Sequence, residues 1–557
     1  MKRGARTDHL FGRDGFKRVG VWGLVLIAVT GMSLRMVKLD WGRGNFFHPD
    51  ESAMAIAITK LSPTSLDPQL YTYGQLPIYV VYFFNRLVAP RESGDGYPGV
   101  TYANAVMGLR VMSAIASLVT VIVAFGMGRS LWGKKWGLAT AAIVSFMPGL
   151  IQGAHFGTTE TLLGLWMTLS MYCAIKMVNS GQMKPWVLGM GVATGLGLGT
   201  KISTLVVIPV GMIAIWWNGS NWFSKVRFIL VYLILGASLG LATSPYWGIK
   251  FKTVWETINY ERKVAAGKIT PFYTRQFVDS KPVLFEMTRV WPWIAGWAVV
   301  GGVGIGTLTA LAGKKRGEVL VATFVIWFGV FNLWQYVRWI RLWVPILPLW
   351  GVVAVGGARW IYIKRRMWGG GLTVLLILAT VISGWGYFRV WRREDVRIRA
   401  SKWIRDNVSG ETKILTESGN TVDLPVNGDG YDVAAFDFYK YTDGKSEKSE
   451  DLAIDLAGEL AIAEYVVVSS RRVWANYTRP TLPYKTIRKY YELLRSGGLG
   501  FERAEEFTSF PGIGSWNWND ELAAEETFSV FDHPKIVVYK KMERLTGDEY
   551  QRRLLNL

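Results

Sequence analysis

Apolar runs of about 20 residues, the length that crosses a bilayer as a helix, recur through the first 390 positions of the chain. They lie near 19–38, 104–127, 136–155, 160–178, 186–200, 202–217, 228–247, 291–312, 319–337, 342–362 and 370–390. This predicts about eleven membrane-spanning helices, the fifth and sixth being short and meeting at Lys201. From about 394 the pattern changes. Short β-branched runs, "TKILTE" (412–417), "EYVVVSS" (464–470) and "HPKIVVYKK" (533–541), alternate with helical patterns such as "EDLAIDLAGELAI" and "YKTIRKYYELLRSG". Strand and helix at that spacing predict a small α/β domain, and a tail of about 165 residues is long enough to bury its own core.

The polar segments orient the apolar ones. "RSLWGKK" (129–135), "KMVNSGQMK" (176–184), "SKVR" (224–227), "GKKRGE" (313–318) and "KRR" (364–366) are all net basic, as loops on the cytoplasmic side should be. Residues 1–18, rich in Lys and Arg, then belong to the cytoplasm. No small-residue cleavage site follows the first apolar run, so it reads as an uncleaved helix and not a signal peptide. An odd number of crossings places the tail outside. Three segments are then extracytoplasmic: 39–103, 248–290 and 391–557. The first contains "YTYGQLPIYVVYFFNRL", too short to span with ease and suited to the interface. The second carries eight Lys and Arg against four Asp and Glu, on the side where basic loops are disfavoured.

Composition agrees with a cell-membrane protein of many passes. Half of the 557 residues are apolar, 27 are Trp, and the net charge is +21. The basic residues fall in short clusters between apolar runs, not in a nucleic-acid-binding stripe. The single cysteine, Cys173, excludes a disulfide framework and a cysteine-ligated zinc site. No phosphate-binding Gly loop, internal repeat or metal-spaced His/Cys cluster stands out.

Candidate chemistry gathers at the outward ends of the apolar runs. "GNFFHPDESAMAIA" (44–57) puts His48, Asp50 and Glu51 just beyond the first. "GAHFGTTET" brings His155 and Glu160 to the next outward turn but one. Lys201 lies between the fifth and sixth runs, and "QYVRWIRLWVPILP" brings Arg338 and Arg341 to the start of the tenth. Three residues apart, the two Arg would share a helical face. Each has a plain structural reading. Asp50 can cap the helix beginning "ESAMAIA", Glu51 and Glu160 can complement a helix N-terminus, and a cation at a helix end can snorkel. His48, His155 and the pair Asp532–His533 read as structure. Together, however, carboxylates and cations on one rim of an apolar bundle suit an anionic lipid head group and a base for an incoming nucleophile.

The order of these features resembles the GT-C membrane glycosyltransferases, in particular the protein O-mannosyltransferase and aminoarabinose-transferase branch. The matching pieces are "HPDE", "YGQLPIYV", "GLRVMSAIASLVTVIVAFGMGRSLWG", "PGLIQGAHFGTTETLLGLWMTLSMY", "GLGLGTKIS" and "RWIRLWVPILPLWGVVA", spread over 19–390. The resemblance implies a polytopic α-helical GT-C domain with an extracytoplasmic α/β tail. It implies transfer of a sugar, with inversion, from a polyprenyl-phosphate donor to a glycan, lipid or protein acceptor outside the cytoplasmic membrane. It implies Asp50 as base, Glu51 and Glu160 as supporting acids, and Arg338, Arg341 and Lys201 on the lipid phosphate. No cofactor is required, although some relatives place a divalent metal at their carboxylates. The alternatives are a transporter or lipid flippase, and an inactive relative whose tail binds a partner.

Overall fold

The computed structural model describes residues 13–88, 91–92, 98–418, 424–426, 430–443, 445–518 and 522–556. Most of the N-terminal segment 1–18 lies outside these. All eleven apolar stretches are helical, with breaks where the sequence demands them. Among the described residues, six helices are long and apolar enough to cross a membrane alone, or up to eight if each of two bent pairs is one span. Among the described residues, shorter apolar helices are Val21–Met36, Leu76–Val88 and Ile202–Asn218, and the fifth apolar run forms the 16-residue helix Met183–Leu198. The first bend, 57°, joins Lys134–Phe146 to Pro148–His155. Pro148 lacks the N–H that would continue the upstream hydrogen bonds. The second, 103°, falls at Gly296, whose φ of 84° is accessible to glycine without a Cβ clash. Lys201 is the break between the fifth and sixth runs: it is extended, with φ −160°, ahead of a 3-10 turn over Ile202–Val207.

Two short helices lie in the first long loop. Pro49–Thr59 begins at the acidic motif, with Pro at its first position, where a missing N–H costs nothing. Leu76–Val88 forms within the stretch expected to lie at the interface. It buries Ile78, Val81 and Tyr82 while leaving Val80, Phe83, Phe84 and Leu87 exposed, which suits a helix half sunk in lipid. The second long loop is mainly the helix Phe251–Ala265 and a 3-10 turn at Phe272–Phe277.

The tail holds a five-stranded sheet. Its strands are β1 Lys413–Glu417, β2 Asp432–Phe436, β3 Tyr465–Val468, β4 Phe501–Phe507 and β5 Ile536–Lys541, in the order β2-β1-β3-β5-β4. The first three are parallel, and β5 runs antiparallel to β3 and β4. Side chains alternate across the sheet. Val466, Val468, Val537 and Tyr539 pack beneath the helices Ser449–Ile462 and Lys485–Ser496, while Val467, Ile536 and Val538 face the helix Val396–Asn407. β2 and β4 escape the sequence pattern because "DVAAF" is short and Ala-rich and "FERAEEF" is mostly charged.

Between β4 and β5 the chain leaves the tail and enters the membrane half. Phe528, Val530 and Phe531 join the bundle's apolar core. Gln152 donates from Nε2 to the Phe528 carbonyl at 2.9 Å, and the Arg397 guanidinium donates to the Phe531 carbonyl at 2.7 Å. Asp532 accepts from the Tyr387 hydroxyl and lies 2.7 Å from His533 Nδ1. Asp532 and His533 therefore pin the tail to the bundle.

Candidate active site

The acidic motif is held by its second carboxylate. Glu51 is fully buried, and its two oxygens accept from Arg110 Nε and Nη2 at 2.8 and 2.7 Å. Oε1 also accepts from the Gly157 amide at 2.8 Å. Arg110, on the helix Tyr102–Trp132, donates further to the Leu39 carbonyl at 2.6 Å and stacks over Trp41. Glu51 thus joins the loop helix, the long helix and the turn before Glu160. With three donors on it and no exposed surface, it is placed to position its neighbours.

Asp50 points the other way. The helix N-cap is His48, which makes no side-chain capping bond, so Asp50 is not the cap that its sequence position allowed. Its carboxylate forms an ion pair with Arg341, 291 residues later in the chain, and both side chains remain partly accessible. Next to them, Lys201 Nζ lies 2.7 Å from Glu160 Oε1. Asp50, Glu160 and Arg341 line a cavity with His48, Phe156 and Thr158 from the bundle and Thr527 and Phe531 from the tail. Two carboxylates and one cation line this opening, with Lys201 paired to Glu160 beside it.

Neighbours outside the spans respond to that charge. Burial pushes the His48 imidazole down, against the upward pull of Asp50 and Glu51, so it is neutral near pH 7. Burial drives the Tyr73 hydroxyl well up, reinforced by Asp50; Lys201 sits 5.4 Å above its ring. Glu261, on the helix Phe251–Ala265, is raised by burial while Arg341 and Lys201 pull it back. It is a third carboxyl within reach of the site's charges, supplied by the basic loop 248–290.

The remaining candidates sit elsewhere. Arg338 is buried; its Nη1 donates to Glu286 at 2.9 Å and its Nε to Ser280 at 3.0 Å. The expected shared helical face does not exist. Residues 337–339 have no helical turn, and Arg341 stands on the 3-10 turn Ile340–Leu342, so the two Arg side chains diverge. His155 stacks on Trp391 at 4.0 Å with its ring nitrogens against the Ile151 and Val37 carbonyls, a structural placement.

Sequence reasoning missed Arg110, Tyr73, Glu261 and the tail's Thr527 and Phe531. Arg110 had a signal, since a lone Arg inside an apolar membrane run is costly unless paired. The others had none in local pattern. For a divalent metal the fit is poor: Asp50 and Glu160 each already hold a cation, and among the described residues no three His, Cys, Asp or Glu side chains gather to hold one.

Residues 103–247 match the family described as dolichyl-phosphate-mannose-protein mannosyltransferase. Undecaprenyl phosphate-alpha-4-amino-4-deoxy-L-arabinose arabinosyl transferase 1 of Pseudomonas fluorescens is 25% identical over 241 residues, covering 41% of this chain and 39% of that protein. The match therefore spans about two fifths of that relative's length. Among solved structures, the oligosaccharyltransferase AglB from Archaeoglobus fulgidus, in complex with an inhibitory peptide and a dolichol-phosphate, superposes with a TM-score of 0.50 at 12% identity. It covers 91% of this chain and 75% of that one. ArnT from Cupriavidus metallidurans bound to undecaprenyl phosphate gives 0.45 at 13% identity, over 95% and 98%. The chain has the fold of a GT-C membrane glycosyltransferase, and the family match runs through the helices and turns that carry Arg110, Glu160 and Lys201.

Proposed function

We propose that the protein transfers a sugar from a polyprenyl-phosphate donor to a glycan, lipid or protein acceptor at the extracytoplasmic face of the membrane. The observation that carries this reading is the Asp50–Arg341 ion pair at the mouth of a cavity shared with Glu160, which Lys201 holds by an ion pair. The lipid tail stays in the bilayer beside the bundle, and the phosphate enters among the cations. An incoming phosphate competes for Arg341 and frees Asp50 to face the acceptor. The acceptor hydroxyl passes its proton to Asp50 as its oxygen bonds to the anomeric carbon. The bond from that carbon to the phosphate oxygen breaks on the opposite face, inverting the centre. Arg341, already drawn onto the phosphate, neutralises it as it departs; a guanidinium can engage two phosphate oxygens at once. Lys201 adds a second charge where negative charge develops, the most productive place for it.

The names of the similar proteins support the donor class: they include an undecaprenyl phosphate-linked arabinosyl transferase and a structure with dolichol-phosphate bound. The test is turnover by the purified protein in lipid with a panel of polyprenyl-phosphate sugars and an envelope extract as acceptor. Consumption of one donor with label appearing in the acceptor fraction is the expected result. Persistence of every donor, with protein that is folded and binds polyprenyl phosphate, would contradict the proposal.

A further inference from the structure

A second cavity, of about 690 Å³, lies in the tail. It opens on the helix-covered face of the sheet, between β4, β5 and the helices Arg471–Tyr477 and Lys485–Ser496. The volume falls in the range of about 300–1,000 Å³ common to small-molecule sites. Its walls combine aromatic rings, from Trp474, Tyr491 and Tyr539, with cations from Arg495, Arg503 and Lys535. Glu506 is the one carboxylate among its lining residues, and it lies 3.0 Å from both Arg503 and Lys535. Three positive charges against one leave the groove net positive.

The sheet is bent to build it. Residues 503 and 506 are an odd number apart and would face opposite sides of a regular strand. A register shift between Arg503 and Glu505 resets the alternation, so Arg503 pairs with Tyr539 and Glu506 with Val537. Both side chains then stand on the face that carries Tyr539 and Val537. Bulges of this kind re-aim side chains toward sites. The rings are also held: the Tyr491 hydroxyl donates to Glu417 at 2.6 Å, and the Arg495 guanidinium lies 4.1 Å over Trp474. The segment that leaves this groove reaches the first cavity. Leu522 and Lys535 line the groove, while Thr527 and Phe531, between them in sequence, line the site of Asp50 and Arg341.

We propose that this groove binds an anionic saccharide, a stretch of glycan bearing carboxylate or phosphate groups, and holds it as the acceptor. Guanidinium forks match such groups bidentately. The flat aromatic rings match the C–H faces of pyranose rings, which a purely electrostatic surface would not require. The groove lies over the sheet face, where β4 contributes the side chains of Arg503 and Glu506 and not its free backbone edge, so strand addition by a peptide does not use it. The role as acceptor rests on the transferase reading; the binding does not.

The test is equilibrium binding of a fluorescent oligogalacturonate to the full-length protein in lipid nanodiscs, with a neutral maltooligosaccharide and an oligoglutamate of equal charge as comparisons. The exposed residues Arg495 and Arg503 are changed together to Gln, and the exposed Arg552→Gln serves as control. The expected result is salt-sensitive oligogalacturonate binding, at least about tenfold weaker in the double variant, near the contribution of one charge-assisted contact, and unchanged in the control. Absence of binding, equal binding of oligoglutamate, or an unaffected double variant would each overturn the proposal. Retained groove binding with no sugar transfer would remove the transferase reading and leave this site standing.

Discussion

Adjacent carboxylates at the head of one short helix do different work because their environments differ. Asp50 is partly accessible and shares one cation, whereas Glu51 is sealed and accepts three hydrogen bonds. Breaking a buried pair by removing one partner typically costs about 3–5 kcal/mol, because the other charge is stranded. Arg110→Ala should therefore lower the thermal midpoint sharply, while the double change Arg110→Met with Glu51→Leu should recover much of that loss; equal damage in both would mean the pair is not what holds the loop. A third carboxylate, Glu526 in the tail, is governed by burial, which pushes it up to about 7 from the ordinary 4.5 despite Arg472 at 3.2 Å. That contact is not backed by a hydrogen bond: Glu526 Oε1 and Arg472 Nε both lack one. Between 4.5 and 7 the folded state binds the extra proton, so this group makes stability fall as pH rises through that window, by up to about 3 kcal/mol. Glu526→Gln should flatten the pH dependence of the thermal midpoint between pH 5 and 7.5. An unchanged slope would show that Glu526 titrates normally.

At the scale of elements, the bundle depends on backbones that approach without side chains between them. A Cβ on Gly306 would come 2.0 Å from the Val353 carbonyl oxygen, and one on Gly357 would come 2.8 Å from Gly306 Cα. The helices Trp297–Gly313 and Leu347–Lys364 cross at these positions, as small residues allow in membranes. Gly306→Ala should separate the helices and lower the thermal midpoint, whereas Gly304→Ala, which meets open space, should not; similar effects of both would contradict the close crossing. Helix positions of this kind were legible from apolar runs, and so were Asp50, Glu160, Lys201 and Arg341, since charge at the border of such a run needs a partner. Arg338 misled because its reading assumed helix through a stretch that is extended, where it turns to Glu286 instead. The contribution of Thr527 and Phe531 was hidden because a contact between the tail and the first loop, far apart in the chain, leaves no trace in local periodicity.

At the scale of the whole molecule, the tail and the site occupy the same end of the bundle, joined through Phe531 and Asp532. If that end is extracytoplasmic, single cysteines in a Cys173→Ser background should label with an impermeant thiol reagent on intact cells at exposed Ser446 and not at exposed Ser220; the reverse pattern would invert the orientation. The chemistry of this site turns on what Asp50 does in the assembled protein. Asp50→Asn keeps the shape and an acceptor oxygen for Arg341 but removes the basicity. The decisive measurement is its turnover of the accepted polyprenyl-phosphate sugar beside the wild type, with donor affinity and thermal midpoint determined on the same preparation. General-base catalysis predicts a fall in turnover of about 10²–10⁴-fold with affinity and midpoint near those of the wild type. A variant that keeps more than about a tenth of wild-type turnover, above any loss expected of a missing base, would contradict it.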